Sequence, residues 1–241
     1  MTIETIPLPN LALTLIPVAA LLFILHRWSL DAGHALYGVF RMVIQLLLIG
    51  YLLTFIFDVD NGWVIGLVLA IMVIAASWIA LGNIPEHRFK LFVYALFAIA
   101  IAGGLTLYLV TQLVLSLDNW YSPRHVIPLA GMIFAASMNS ISLAAERITA
   151  ELAREVEYLK ARSTAINAAL IPNINALFAV GLVSLPGMMT GQILSGVSPF
   201  IAARYQLMVM CMLLTAAGFS AVLFLMIARR NFDVAPDQVT S

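Results

Sequence analysis

The sequence predicts an all-α fold: a polytopic transmembrane helical bundle of about seven spans, with the N-terminus outside and the C-terminus in the cytoplasm. Three observations predict it. Of the 241 residues, 63% are hydrophobic and 10% charged, and mean hydropathy is +1.02; soluble domains run nearer half apolar and a quarter charged. The apolar residues gather into runs near the roughly 20 residues that a crossing helix needs. Lysine and arginine concentrate in alternate loops between those runs, as the positive-inside rule requires.

The apolar segments are, in order, roughly 9–25, 35–57, 62–82, 91–115, 126–144, 168–185 and 202–228. The first, around Leu11–Leu25, has no basic residue before it and no small-x-small cleavage pattern, so it reads as a span rather than a cleaved leader. Breaks fall at Asp58-Val-Asp-Asn-Gly62, at Gly82 through Lys90, at Asp118 through His125 and at Pro186-Gly187 through Pro199. Proline lacks a backbone donor and glycine relaxes the chain, so such stretches end helices.

One set of loops holds Arg27, Arg88, Lys90, Arg147, Arg154, Lys160, Arg162, Arg229 and Arg230. The opposite set holds Arg124 and Arg204, and Arg41 lies inside a span. The first set is therefore cytoplasmic. The outer loops carry Asp58, Asp60 and Asp118, with Trp63, Trp120 and Tyr121 at the outer interface.

One long segment is polar. Residues 145–165 lack glycine and proline and are rich in good helix formers. Ile148, Leu152, Val156 and Leu159 recur at helical spacing, while Arg147, Glu151 and Glu155 share another face. This predicts one amphipathic helix on the cytoplasmic side, either lying on the lipid surface or extending a span, or else receiving a soluble partner in a helix-in-groove mode.

Polar residues inside the spans are the candidates for a transport path. Arg41 and Gln45 are one helical turn apart in the second segment. Asn139 and Ser140, with Ser137 and Ser142 nearby, lie in the fifth, where they serve either as helix–helix glue or as a polar path. Asn173, Asn175 and Gln192 flank the breaks expected at Pro172 and Pro186, and discontinuous membrane helices are where transporters place substrate. Met188 and Met189 are either packing filler or soft thioether ligands for a metal.

Several classes are excluded by pattern. Net charge is zero, so no basic field attracts nucleic acid. Cys211 stands alone, so no intrachain disulfide forms. His26, His34, His87 and His125 have no metal-ligand spacing, and no G-x-x-x-x-G-K-[ST], H-E-x-x-H or G-x-S-x-G occurs. The chain reads as no enzyme, with no cofactor of its own. The spans also lack a central acid pair, which argues against a proton-coupled carrier.

The run Ala169-Leu-Ile-Pro-Asn-Ile-Asn-Ala176, followed by Val180-Gly-Leu-Val-Ser-Leu-Pro-Gly-Met-Met-Thr-Gly-Gln-Ile-Leu194, is specific. Arg41 through Gln45 with Gly50, Met138-Asn-Ser140, Ser142-Leu143 and Ala203-Arg-Tyr-Gln206 accompany it. From about residue 30 to 228 the sequence resembles the Fet-type ABC permeases, bacterial iron exporters related to plant aluminium-tolerance permeases. That resemblance implies a single permease domain over 1–241 in the inner membrane of a bacterium. It implies a homodimer of permeases surrounded by membrane lipid, a separate cytosolic ABC ATPase that supplies ATP hydrolysis, and export of iron or another metal. The segment about 145–166 becomes the coupling element, with Glu146, Arg147, Glu151, Arg154 and Glu155 as its candidate contacts. The resemblance also implies a glycine after the Glu-rich helix; here no glycine occurs between Gly131 and Gly181. The competing readings are a passive channel or secondary carrier, and a membrane scaffold that binds a cytosolic protein through residues 146–165.

Overall fold

The structure, a computed structural model, describes residues 6–58 and 61–232; Asp60, read above as an outer-loop acid, lies outside them. Six helices are long and apolar enough to cross a membrane: α1 (Leu8–Arg27), α2 (Ala32–Ile56), α3 (Gly62–Ala80), α4 (Pro85–Val114), α5 (Pro123–Leu152) and α8 (Pro199–Ile227). Between α5 and α8 come α6 (Tyr158–Ala179) and the short α7 (Gly187–Leu194).

Six of the seven expected segments correspond to the six apolar helices. The segment expected over 168–185 differs. Its helix begins earlier, at Tyr158, takes in Lys160, Arg162 and Asn167, and stops at Ala179. Those residues, with Asn173 and Asn175, keep α6 from being apolar enough to stand among the six. Pro172 does not interrupt it. Proline removes one intrahelical donor, and flanking turns tolerate that loss when other helices pack around them. Pro128 is carried inside α5 in the same way.

The chain forms two compact units that divide after Val59. In the first, α1 ends with Ser29 in the left-handed region (φ 56°), and Leu30 N–H donates to the Leu25 carbonyl at 2.9 Å. That is a Schellman closure. Asp31 then caps α2, its carboxylate accepting from His34 N–H at 2.8 Å.

In the second unit, α5 lies against α3, α6 and α8, and α8 also touches α4 and α7. Small residues make this close packing possible. Ala144, Ala216, Ala217 and Ala221 are fully buried, as are Ser137 and Ser220. Ser220 donates to Ser137 Oγ at 2.9 Å, and Ser137 donates to the Ala216 carbonyl at 3.3 Å. Lipid is as apolar as leucine, so helix association in a bilayer depends on this kind of close approach and interhelical hydrogen bonding. Within α4, the stretches Ile99–Gly103 and Leu109–Val114 widen into π-helix. Gly103 has no side chain because Phe134 occupies its place: a Cβ there would meet the Phe134 ring at 3.0 Å.

Each end of the second unit has its own chemistry. At one end the α3–α4 turn is held by Arg88, whose guanidinium donates to the Trp78 carbonyl at 2.7 and 3.1 Å and stacks on the Trp78 ring at 3.8 Å. A cation on the last carbonyls of α3 also suits its dipole. Asn83 Nδ2 donates to Ser142 Oγ at 3.2 Å beside it, and the α5–α6 turn and the end of α8 complete this basic end. At the other, aromatic end, a Cβ on Gly62 would lie 2.9 Å from Trp120, whose ring meets Tyr121 edge-on at 5.6 Å.

Candidate functional site

The polar segment at the basic end is not one helix. Helix α5 ends at Leu152 and α6 starts at Tyr158. Between them Glu155 adopts φ 60°. Val156 N–H reaches back to the Glu151 carbonyl at 3.2 Å, and Glu155 N–H reaches the Leu152 carbonyl at 2.9 Å. This is a Schellman turn with glutamate at the position that glycine normally fills. The sequence contains no Gly or Pro here to mark the stop, which is why one continuous helix was expected. The missing glycine between Gly131 and Gly181 thus has a structural counterpart: the left-handed residue is present without it.

The turn also redistributes the predicted contacts. Glu151 is 8% exposed and pairs with the half-exposed Arg147 at 2.6 Å, so this pair braces α5. Glu146, Arg154 and Glu155 are exposed. The apolar stripe splits too: Ile148 is fully buried, whereas Leu159 beyond the turn is exposed. Tyr158 anchors the start of α6. It is 1% exposed, its hydroxyl donates to the Leu225 carbonyl of α8, and Arg229 sits 5.1 Å over its ring.

The predicted path residues are spread over both units. Arg41 and Gln45 lie on α2, in the first unit. Ser140 is fully buried in the second, its hydroxyl without a partner among the described residues. Asn139 and Asn175 are exposed, and Asn173 is half-buried. The break predicted at Pro186 is real. After Ala179 the chain turns through Gly181 (φ 81°), with Val183 and Ser184 N–H both on the Ala179 carbonyl, and Pro186 caps α7. Met188, on α7, lines a cavity of about 280 Å³ near the aromatic end with Met132, Met208, His125, Arg124 and Tyr205. Met189 is half-buried on the same helix. The Gln192 side-chain oxygen is buried and without a partner among the described residues, as is that of Gln206 on α8.

Sequence reasoning did not name Gln206, Asn167 or Tyr158 as site candidates, although Gln206 closes one of the runs that carry the resemblance. Gln206 carried a signal, since it is a polar residue inside an apolar span. So did Asn167, two turns before Asn175. Tyr158 carried none, because its role depends on a helix distant in sequence. No group of three or more His, Cys, Asp and Glu side chains gathers among the described residues.

Residues 8–232 match the sequence profile of the uncharacterised protein family UPF0014. The chain belongs to this family. UPF0014 relatives cover most of it. A UPF0014 membrane protein of Synechocystis is 36% identical over 205 residues, 79% of each chain. The Escherichia coli protein named "Probable iron export permease protein FetB" is 34% identical over 239 residues, 92% of this chain and 91% of that one. The Arabidopsis thaliana protein ALUMINUM SENSITIVE 3 is 30% identical over 230 residues, 89% of this chain and 82% of its own. No solved structure matches the chain. Family and helices agree on an integral membrane protein of the UPF0014 type.

Proposed function

We propose that this chain is the membrane-spanning permease subunit of an ABC transporter that exports iron or another metal ion from the bacterial cytoplasm. The observation that carries the reading is the likeness to FetB, which runs over nearly the whole of both chains. The basic end would face the cytoplasm under the positive-inside rule, and α6 would make the seventh crossing, placing the two termini on opposite sides of the inner membrane. Two copies would pair with two cytosolic ATPase subunits, which supply the nucleotide chemistry.

The geometry supports a defined coupling element. Exposed Glu146, Arg154 and Glu155 surround a turn that joins two packed helices. Displacing that turn would move α5 and α6 together, and Tyr158 would pass the motion to the end of α8. Closure of the ATP sites would then favour one membrane conformation, because the bound ATPase contacts the two conformations differently.

The test is co-purification with candidate ATPases from the same cell, followed by ATP hydrolysis in proteoliposomes with and without ferrous iron. The expected result is a stable complex whose hydrolysis rises with metal. Transport that proceeds in vesicles with neither ATP nor a second polypeptide would overturn the reading.

A further inference from the structure

Near the aromatic end, α5, α7 and α8 border a cavity of about 280 Å³ whose lining is rich in sulfur. All of its lining residues belong to the second unit. His125, Leu129 and Met132 line it from α5, at the four- and three-residue steps that keep side chains on one helix face. Tyr205 and Met208 line it from α8, and Met188 from α7. The turn capped by Pro186 starts α7 two residues before Met188 and so brings that side chain in. Methionine used as packing filler closes gaps. Here three half-buried methionines, one from each helix, border open space instead.

The donor set selects a class of ligand. Thioether sulfur is soft and uncharged, and it binds soft ions in preference to hard ones. Hard cations take oxygen ligands, carboxylates above all, and no Asp or Glu among the described residues lines the cavity. Arg124 lines it as well, and a cation there repels a multiply charged ion more than a singly charged one. His125 adds a nitrogen. Its Nδ1 and the Ser122 hydroxyl are hydrogen-bonded at 3.1 Å. With Nδ1–H donating to Ser122 Oγ, the ring's lone pair stands at Nε2, and a second partner of this kind is what orients an imidazole ligand. Methionine has three rotatable bonds, so the sulfurs can draw in on an ion without movement of the helices.

We propose that Met132, Met188, Met208 and His125 form a binding site for a soft monovalent metal ion of the Cu(I) and Ag(I) class. The inference deepens the permease reading and rests on it for the ion's route. Under the positive-inside rule the aromatic end faces outward, so the site holds the ion on the exit side of the membrane.

The test is metal binding by the full chain in detergent, without an ATPase, on a Cys211→Ala background that removes the free thiol. Silver ion is the probe for titration calorimetry, and Cu(I), kept reduced under nitrogen, for X-ray absorption. One silver ion per chain is expected, with copper surrounded by sulfur and by a nitrogen that His125→Ala removes. Met132→Leu, Met188→Leu and Met208→Leu conserve volume, and each is expected to weaken silver binding by about tenfold or more. Met210→Leu, on α8 but off the cavity, is the control and is expected to bind as before. Thermal midpoints check that every variant folds. Silver uptake unchanged in the triple leucine variant would overturn the proposal. So would mole-for-mole displacement of silver by ferrous iron, or copper ringed by oxygen and nitrogen alone. Binding needs no second polypeptide, so an intact silver site with no ATPase association would sink only the transporter reading. Lost silver binding with intact iron-stimulated hydrolysis would sink only the site.

Discussion

The hydroxyl of Tyr158, the first residue of α6, donates to the carbonyl oxygen of Leu225 in α8 at 2.6 Å across 67 residues of sequence. Leu225 is one turn from the end of α8, where carbonyls have no intrahelical donor. The bond therefore fastens the turn after α5 to the last turn of the bundle. Tyr158→Phe keeps the ring and removes only the donor. It is expected to cost about 1 kcal/mol, read as a lower thermal midpoint in detergent. If the bond carries the ATPase stroke, metal-stimulated hydrolysis falls further than stability does.

Glu155 offers the opposite case. A side chain in the left-handed region costs roughly 1–2 kcal/mol, and glycine avoids that cost. Glu155→Gly is expected to raise stability by about 1 kcal/mol, and Glu155→Val to lower it. A docking role for the carboxylate separates from the fold here: if the proposed ATPase docks on Glu155, the glycine variant would be more stable yet bind that partner more weakly. Equal melting of wild type and the glycine variant would show that the turn is not strained.

Arg88 combines two hydrogen bonds to the Trp78 carbonyl with stacking on the Trp78 ring. A planar guanidinium can do both, and a lysine ammonium cannot. Arg88→Lys is accordingly expected to lose most of what Arg88→Ala loses, on the order of 1 kcal/mol for this half-buried group. Quenching of Trp78 fluorescence by a soluble quencher would report the loosened turn, and full rescue by lysine would count against the geometry.

Gly103 fails any added methyl group. Because a Cβ would stand 3.0 Å from the Phe134 ring and 3.2 Å from Ile133, Gly103→Ala must push α4 away from α5. The expected loss is about 1–3 kcal/mol, the usual range for overpacking. Gly104 has open space at the same position, so Gly104→Ala is the matched control and is expected to be nearly neutral. Thermal unfolding of both variants in detergent decides the comparison.

The architecture was largely legible in the sequence, since a bilayer demands long apolar runs and writes them into composition. The site was less so. Glu151 and Glu155 looked alike on a helical projection, yet one is buried against Arg147 and the other turns the chain. Met188 was visible as a soft side chain; that Met132 and Met208 share its cavity was not. The Pro172 break did not form, because the surrounding helices hold α6 together around a single lost donor.

By itself the sequence determined membrane residence, helix type and the charge asymmetry of the loops, since each depends on residue chemistry over a local window. Only the tertiary structure decided where the polar segment turns, which serines pair, and that α6 runs unbroken through Pro172. Those facts depend on which residues from distant parts of the chain meet, and local periodicity holds no record of such meetings.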